Sequence, residues 1–253
     1  MISISIVGSG NVAQHLIKVI SKTIGLELVQ VVVRESQSIS NLVSTTKICS
    51  NYNEIKSADV FIIAVSDDAI AAVSSKLPFQ NQLVVHTSGT VSVSDLDSKN
   101  RKGVFYPLQT FSKNKEVDFK TIPICLETQV DSDYKVLEKV AQLLSNKVYK
   151  INSEQRKALH ISAVFVCNFT NHLYKLGNDI CNQNQISFEI LKPLIQETAN
   201  KIEFLSPQEA QTGPAKREDI QTINKHLSFL SDQNQKGIYK TLTKSIIDNG
   251  KKL

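Results

Sequence analysis

The spacing of apolar positions changes near residue 150. Before it, short apolar runs alternate with helical patterns. Residues 2–7 alternate apolar and polar in steps of two, which predicts a strand. Residues 11–20 follow with Val12, Leu16, Val19 and Ile20 at helical spacing. Further strands are predicted over 26–33, 47–49, 59–65, 83–86, 103–106, 122–126 and 147–149, with helices over 68–75 and 133–144. The run at 59–65 is almost wholly apolar, as a strand buried on both faces requires. This alternation predicts an α/β domain over residues 1–150, a Rossmann-type doubly wound, mostly parallel sheet with helices on both sides. Beyond it no strand pattern recurs. Helices are predicted over 153–176, 187–203, 219–230 and 234–247, with a Pro- and Gly-rich loop at 206–214, so residues 151–253 form an all-α domain.

Composition narrows the function classes. A net charge of +5 without a Lys/Arg run interleaved with aromatics gives no nucleic-acid footprint. No apolar run is long enough to span a bilayer, and the N-terminus lacks a basic start and long apolar stretch. Cys49, Cys125, Cys167 and Cys181 are widely spaced, which fits reduced thiols and a cytoplasmic protein, and no metal-ligand set is read from the sequence.

The chemistry starts at Gly8-Ser9-Gly10-Asn11-Val12-Ala13, a Gly-x-Gly-x-x-Ala turn between the first strand and first helix. The first glycine permits the tight turn, the second lets a pyrophosphate approach the backbone, and the small alanine lets helix and sheet pack closely. The helix N-terminus offers N–H groups and a partial positive charge to phosphates. An ordinary tight strand-helix turn is the plainer reading. The second strand ends in Arg34, Glu35 and Ser36. Arg34 and Ser36 suit the 2′-phosphate of NADP, whereas Glu35 suits the ribose diol of NAD, and a solvated strand-end charge remains open for Arg34. Val65 and Ser66 leave the carboxyl end of the next long strand, the edge where such sheets bind ligands. Asp67 and Asp68 beside them are expected to cap the following helix.

Three further segments, His86-Thr87-Ser88-Gly89-Thr90, Tyr106-Pro107-Leu108-Gln109-Thr110-Phe111 and Thr212-Gly213-Pro214-Ala215-Lys216-Arg217-Glu218-Asp219, complete the pattern. With the N-terminal turn they resemble, over essentially the whole chain, a bacterial family of Rossmann-like NADP oxidoreductases whose helical half is a domain of unknown function, number 2520. That family is related to pyrroline-5-carboxylate reductase, ketopantoate reductase, the β-hydroxyacid dehydrogenases and 6-phosphogluconate dehydrogenase-like proteins. The resemblance implies NADP(H) binding between the domains and a homodimer built through the helical half, and it supplies no substrate. The chain departs from the family at Glu218, where the family carries glycine, so a glycine-dependent turn is expected to be altered there.

Hydride transfer needs an orienting pocket and an acid or base near the substrate heteroatom. Lys157, His160, Asn168 and Asn171 fall within an arc of roughly 80° on an ideal helix, on a segment whose neighbours are mostly apolar and which is therefore expected to be buried. His160 is the leading proton donor, with Asn168 orienting substrate; a structural histidine bonded to a loop carbonyl is the plainer reading. Related β-hydroxyacid dehydrogenases place Lys and Asn one turn apart, but Ile161 follows Lys157 at that spacing, so no catalytic lysine is carried over. His86 lies at the ligand edge with the cofactor, and Ser88, Gly89, Gln109, Thr110, Asn171 and Arg217 are substrate-contact candidates, Ser88 also for catalysis. For the loop residues, turn-fixing hydrogen bonds are the alternative, and for Arg217 an ion pair with Asp219 or a surface charge. The sequence thus predicts an NADP-dependent oxidoreductase acting on a small carbonyl or imine. A non-enzymatic NADP-binding sensor is the alternative. A methyltransferase fits poorly, because Arg34 would face a ribose with no phosphate.

Overall fold

The computed structural model describes residues 1–35, 37, 39–113 and 115–250. The chain divides into two compact units, Met1–Cys167 and Asn168–Leu253. Among the described residues no helix is long and apolar enough to cross a membrane.

The first unit is built on eight strands: β1 (Ile2–Val7), β2 (Leu26–Val32), β3 (Ile48–Cys49), β4 (Val60–Ile63), β5 (Leu83–His86), β6 (Arg101–Pro107), β7 (Ile124–Thr128) and β8 (Val148–Lys150). Their spatial order is β3-β2-β1-β4-β5-β6-β7-β8. The chain folds outward in both directions from β1, which gives the doubly wound arrangement. Pairing is parallel throughout except between β6 and β7, which run antiparallel. Helices α1 (Asn11–Lys22), α2 (Ile70–Lys76) and α3 (Asp131–Leu144) cover the sheet. Successive residues of β4 serve opposite faces: Ile62 packs with Ile6, Leu16 and Val140, while Phe61 and Ile63 pack with Ile70, Leu77 and Leu96. This is the period of two expected of a strand between two helical layers. Helix α4 (Ser153–Ala163) follows β8 and begins in a capping box, Asn152 accepting the Gln155 N–H and Gln155 accepting the Asn152 N–H.

The expected single helix from 153 is interrupted. Val164–Phe169 is π-helical before α5 (Thr170–Gln183) resumes. Turns closed by i to i+5 bonds are wider than α turns, so the angular phase assumed for His160, Asn168 and Asn171 is lost beyond residue 163. The segment is also less buried than expected. Ile161, Phe165, Val166 and Phe169 are exposed, and in α4 only Arg156 is fully buried.

The second unit continues with α6 (Lys192–Lys201), α7 (Pro207–Ala210), α8 (Ile220–Phe229) and α9 (Gln233–Gly250). The expected loop at 206–214 contains α7, started by a Ser206–Glu209 capping box with Pro207 in its first turn. Residues 188–191 form a 3-10 turn before α6, and Pro193 sits in the first turn of that helix, where proline needs no N–H. Glu218 adopts φ 51°, the left-handed region that glycine favours, so a side chain stands where the backbone conformation suits glycine.

Candidate active site

The glycine turn divides its work between two unlike positions. Gly8 has φ 126°, and a Cβ there would lie 2.2 Å from the Ala64 carbonyl oxygen. No side chain fits, because β1 and β4 pass too close together at their carboxyl ends. Gly10 is different: a Cβ there would meet nothing within 4 Å. It stands at the start of α1, where no side chain caps the helix. The first N–H groups of α1 therefore face an open cradle, where a phosphate group would satisfy them. Ala13 is fully buried against the sheet. Val12 packs against the same core from a partly buried position. The Gln14 amide bonds the Ser9 carbonyl at 2.9 Å and fixes the turn.

At the end of β2, Arg34 and Glu35 are exposed. Tyr52, half-buried just beyond β3, lies within electrostatic reach of Arg34; burial raises its hydroxyl pKa and the guanidinium opposes that rise. Ser36 lies outside the described residues. Val65 and Ser66 sit at the carboxyl end of β4, and Ser66 begins a 3-10 turn. Asp67 does not cap that turn as expected. Its carboxylate accepts the Thr90 hydroxyl at 2.5 Å.

The segment after β5 is ordered by its own polar groups. The His86 ring is fully buried, and its Nδ1 accepts the Ser88 N–H at 3.1 Å. Burial and the Arg156 charge hold the imidazole pKa down at about 4, so the ring is neutral near pH 7. Any ligand contact by this residue runs through its backbone. Ser88 Oγ accepts the N–H groups of Thr90 and Val91, both at 3.0 Å. It lies 3.3 Å from Thr90 Oγ1, whose own proton goes to Asp67, so Ser88 donates along this chain. The hydroxyl is thereby committed to turn-fixing bonds.

His160 meets this segment. It is half-buried, on α4, with Tyr106 Oη 3.1 Å from its Nδ1. Tyr106 lies on β6, and burial is the main force raising its pKa to about 12, so the phenol keeps its proton and shares a hydrogen bond with the imidazole whose direction follows the ring tautomer. Gly89 lies directly beneath: a Cβ there would fall 2.5 Å from His160 Nδ1. Sequence reasoning named Gly89 and His160 separately and Tyr106 only within a motif that carries the family resemblance; no spacing rule joins three residues on a loop, a strand and a helix.

Arg156, one turn before His160, was missed altogether. Its guanidinium is fully buried, donates to the Val91 carbonyl at 2.7 Å and to Ser153 Oγ at 3.2 Å, and stands 3.3 Å from the Glu127 carboxylate. It fastens the start of α4 to β7 and to the turn after β5. Lys157 instead pairs with Glu154 at the surface.

Gln109 and Thr110 are exposed beyond β6, Gln109 Oε1 accepting both the Thr110 N–H and hydroxyl. Asn168 and Asn171 are exposed. Arg217 is exposed in the second unit and adds to the charges holding Asp219 below the usual carboxylate range, an effect led by the Thr222 bonds to that carboxylate.

Residues 122–246 match the model of a domain of unknown function, DUF2520. The chain is similar to a solved candidate NADP oxidoreductase from Bacteroides fragilis, at 38% identity over 98% of each chain with a TM-score of 0.89. A solved protein from Thermotoga maritima is 20% identical over 98% of each chain, TM-score 0.75. A Plasmodium falciparum pyrroline carboxylate reductase with NADP bound shares the fold at 12% identity, covering 99% of this chain and 97% of its own, TM-score 0.64. No curated protein matches the sequence.

Proposed function

Because the chain belongs to the family of Rossmann-fold NADP oxidoreductases that carry DUF2520, we propose that it transfers a hydride between NADP(H) and a small carbonyl or imine substrate. The observation that carries this reading is the proximity of Gly89, Tyr106 and His160 beside a sheet whose first turn is an open, uncapped phosphate cradle at Gly10. Residues 1–150 hold the coenzyme. The backbone of Gly8, Ser9, Gly10, Asn11 and Val12 receives its pyrophosphate, Arg34 its 2′-phosphate with Tyr52 beside it, and Val65, Ser66 and His86 line the edge with their main chains. Bound coenzyme supplies or accepts the hydride. His160 in its cationic form gives the Nε2 proton to the oxygen or nitrogen of the reduced substrate and is left as the neutral imidazole, while the Tyr106 hydroxyl, bonded at Nδ1, holds the ring in position for the transfer. Gly89 leaves room for the imidazole. Asn168, Asn171 and Arg217 remain substrate-contact proposals of the helical part, residues 151–253.

A second copy of the chain is the proposed partner of that helical part. Ile190, Leu194, Phe204 and Phe229 are each more than half exposed, which suits a surface covered on association. A cytoplasmic location fits four cysteines that are all free thiols.

The test is a thermal-shift titration with NADPH, NADP, NADH and NAD, followed by a carbonyl and imine panel read by NADPH absorbance. A selective rise with NADP(H) and turnover of one substrate class is the expected result. Binding without turnover selects the sensor reading, and no shift with any of the four overturns the coenzyme assignment.

A further inference from the structure

The segment after β6 returns to the glycine turn. Asn11, the first residue of α1, spends its side-chain amide on the Phe111 carbonyl at 3.1 Å. One turn along, the buried His15 ring places Nε2 3.1 Å from the Ser112 carbonyl, so that nitrogen is the donor. The Phe111 ring lies against the same imidazole, centroids 5.0 Å apart, and stacks with Phe119 at 5.9 Å. Two hydrogen bonds and an aromatic contact thus fix residues 111–112 to the first two turns of the helix whose N–H groups face the cradle. Gln109 and Thr110, both exposed, directly precede them in the chain. Gln109 Oε1 takes both Thr110 donors, which leaves the Gln109 amide N–H2 as a donor without a partner among the described residues.

Resting on the coenzyme reading above, we propose that residues 109–112 form the second wall of the pyrophosphate site, with Gln109 donating to a phosphate oxygen and His15 and Phe111 acting as positioning residues. This moves Gln109 and Thr110 from substrate contact to coenzyme contact. It also gives His15 a role: an imidazole buried in an otherwise aliphatic helix face is there to hold the wall. The Asn11 side chain serves the wall as well, leaving only its backbone for the phosphates.

Calorimetric titration of NADPH and of adenosine 2′-monophosphate tests this, since the second ligand reaches Arg34 and has no pyrophosphate. His15→Leu keeps the bulk and removes the donor, His15→Gln keeps a donor, and Phe111→Ala removes the contact from the other side. We expect the NADPH dissociation constant to rise about tenfold in the Leu and Ala variants. Binding of adenosine 2′-monophosphate should stay unchanged in both, and the Gln variant should recover NADPH affinity. Equal losses for both ligands, or no rescue by Gln, would reduce His15 to a packing residue and overturn the wall. Wild-type binding of NADPH with unaffected variants overturns the wall alone; a wild-type protein that fails to bind NADPH takes the coenzyme reading with it.

Discussion

The two units use apolar residues in opposite ways. In the sheet unit, β1, β4 and β5 are enclosed on both faces, and Ile6, Phe61, Ile62 and Val84 have no exposed surface. In the helical unit the buried apolar residues among those described are Cys181, Ala215 and Ile223, while Phe204 is 85% exposed and Ile190 69%. A helix needs a partner for its apolar stripe, and the sheet unit finds its partners within one chain. The helical unit presents the same chemistry outward. The first unit should therefore respond to mutation through folding, the second through association.

The largest effect is expected at Gly8. Gly8→Ala forces a Cβ against the Ala64 carbonyl at a positive φ and should cost about 3 kcal/mol or more, read as lost soluble protein or an early urea midpoint. Gly10→Ala should leave stability within about 0.5 kcal/mol while weakening NADPH binding. Equal stability losses at the two glycines would break the division between inward and outward positions. The next effect is pH-dependent. His86 titrates near 6.5 when unfolded and about 4 when folded, so the unfolded chain binds the extra proton between these values. Stability is fully present above pH 6.5 and falls as pH drops toward 4, by an amount on the order of 3 kcal/mol. Urea unfolding across that window should show the slope, and His86→Asn should flatten it.

The helical unit should behave otherwise. Phe204→Glu with Ile190→Lys should raise the dimer dissociation constant about a hundredfold by sedimentation, with the far-ultraviolet circular dichroism unchanged. A monomeric wild type would break the comparison at its weaker half. Tyr106→Phe should lower turnover about tenfold and shift the pH profile, because His160 loses the hydroxyl that bonds Nδ1 and positions its ring; a change in KM alone would point to simple packing. The smallest effect is at Glu218, where Glu218→Gly should stabilise by about 1 kcal/mol through relief of the left-handed backbone.

Much of the sheet was readable because period and burial agree: residues 2–7 and 83–86 form the strands their patterns predict. The reversal at β7 was not, since alternation carries no direction. The capping box at Ser206 was visible as Ser-Pro-Gln-Glu, yet the prolines and glycine around it pointed to a loop. The π-helical turn has no spacing of its own in the sequence and appears only once the backbone is traced. At the site, the glycine turn and His160 were found from local signals. Arg156 with Glu127, and His15 with Ser112, were hidden because each pair joins residues far apart in the chain through contacts that no motif encodes.

The buried guanidinium of Arg156 also bears on how the protein opens. A helix that begins with a fully desolvated charge bonded to a strand and a turn cannot fray from that end without stranding the charge in a nonpolar setting. The backbone amides in the first turns of α4 should exchange their hydrogens only when the sheet itself comes apart, while those of α6 and α7, whose side chains are hardly buried, exchange by local excursions. The imidazole of His160 is then carried by one of the last segments to let go.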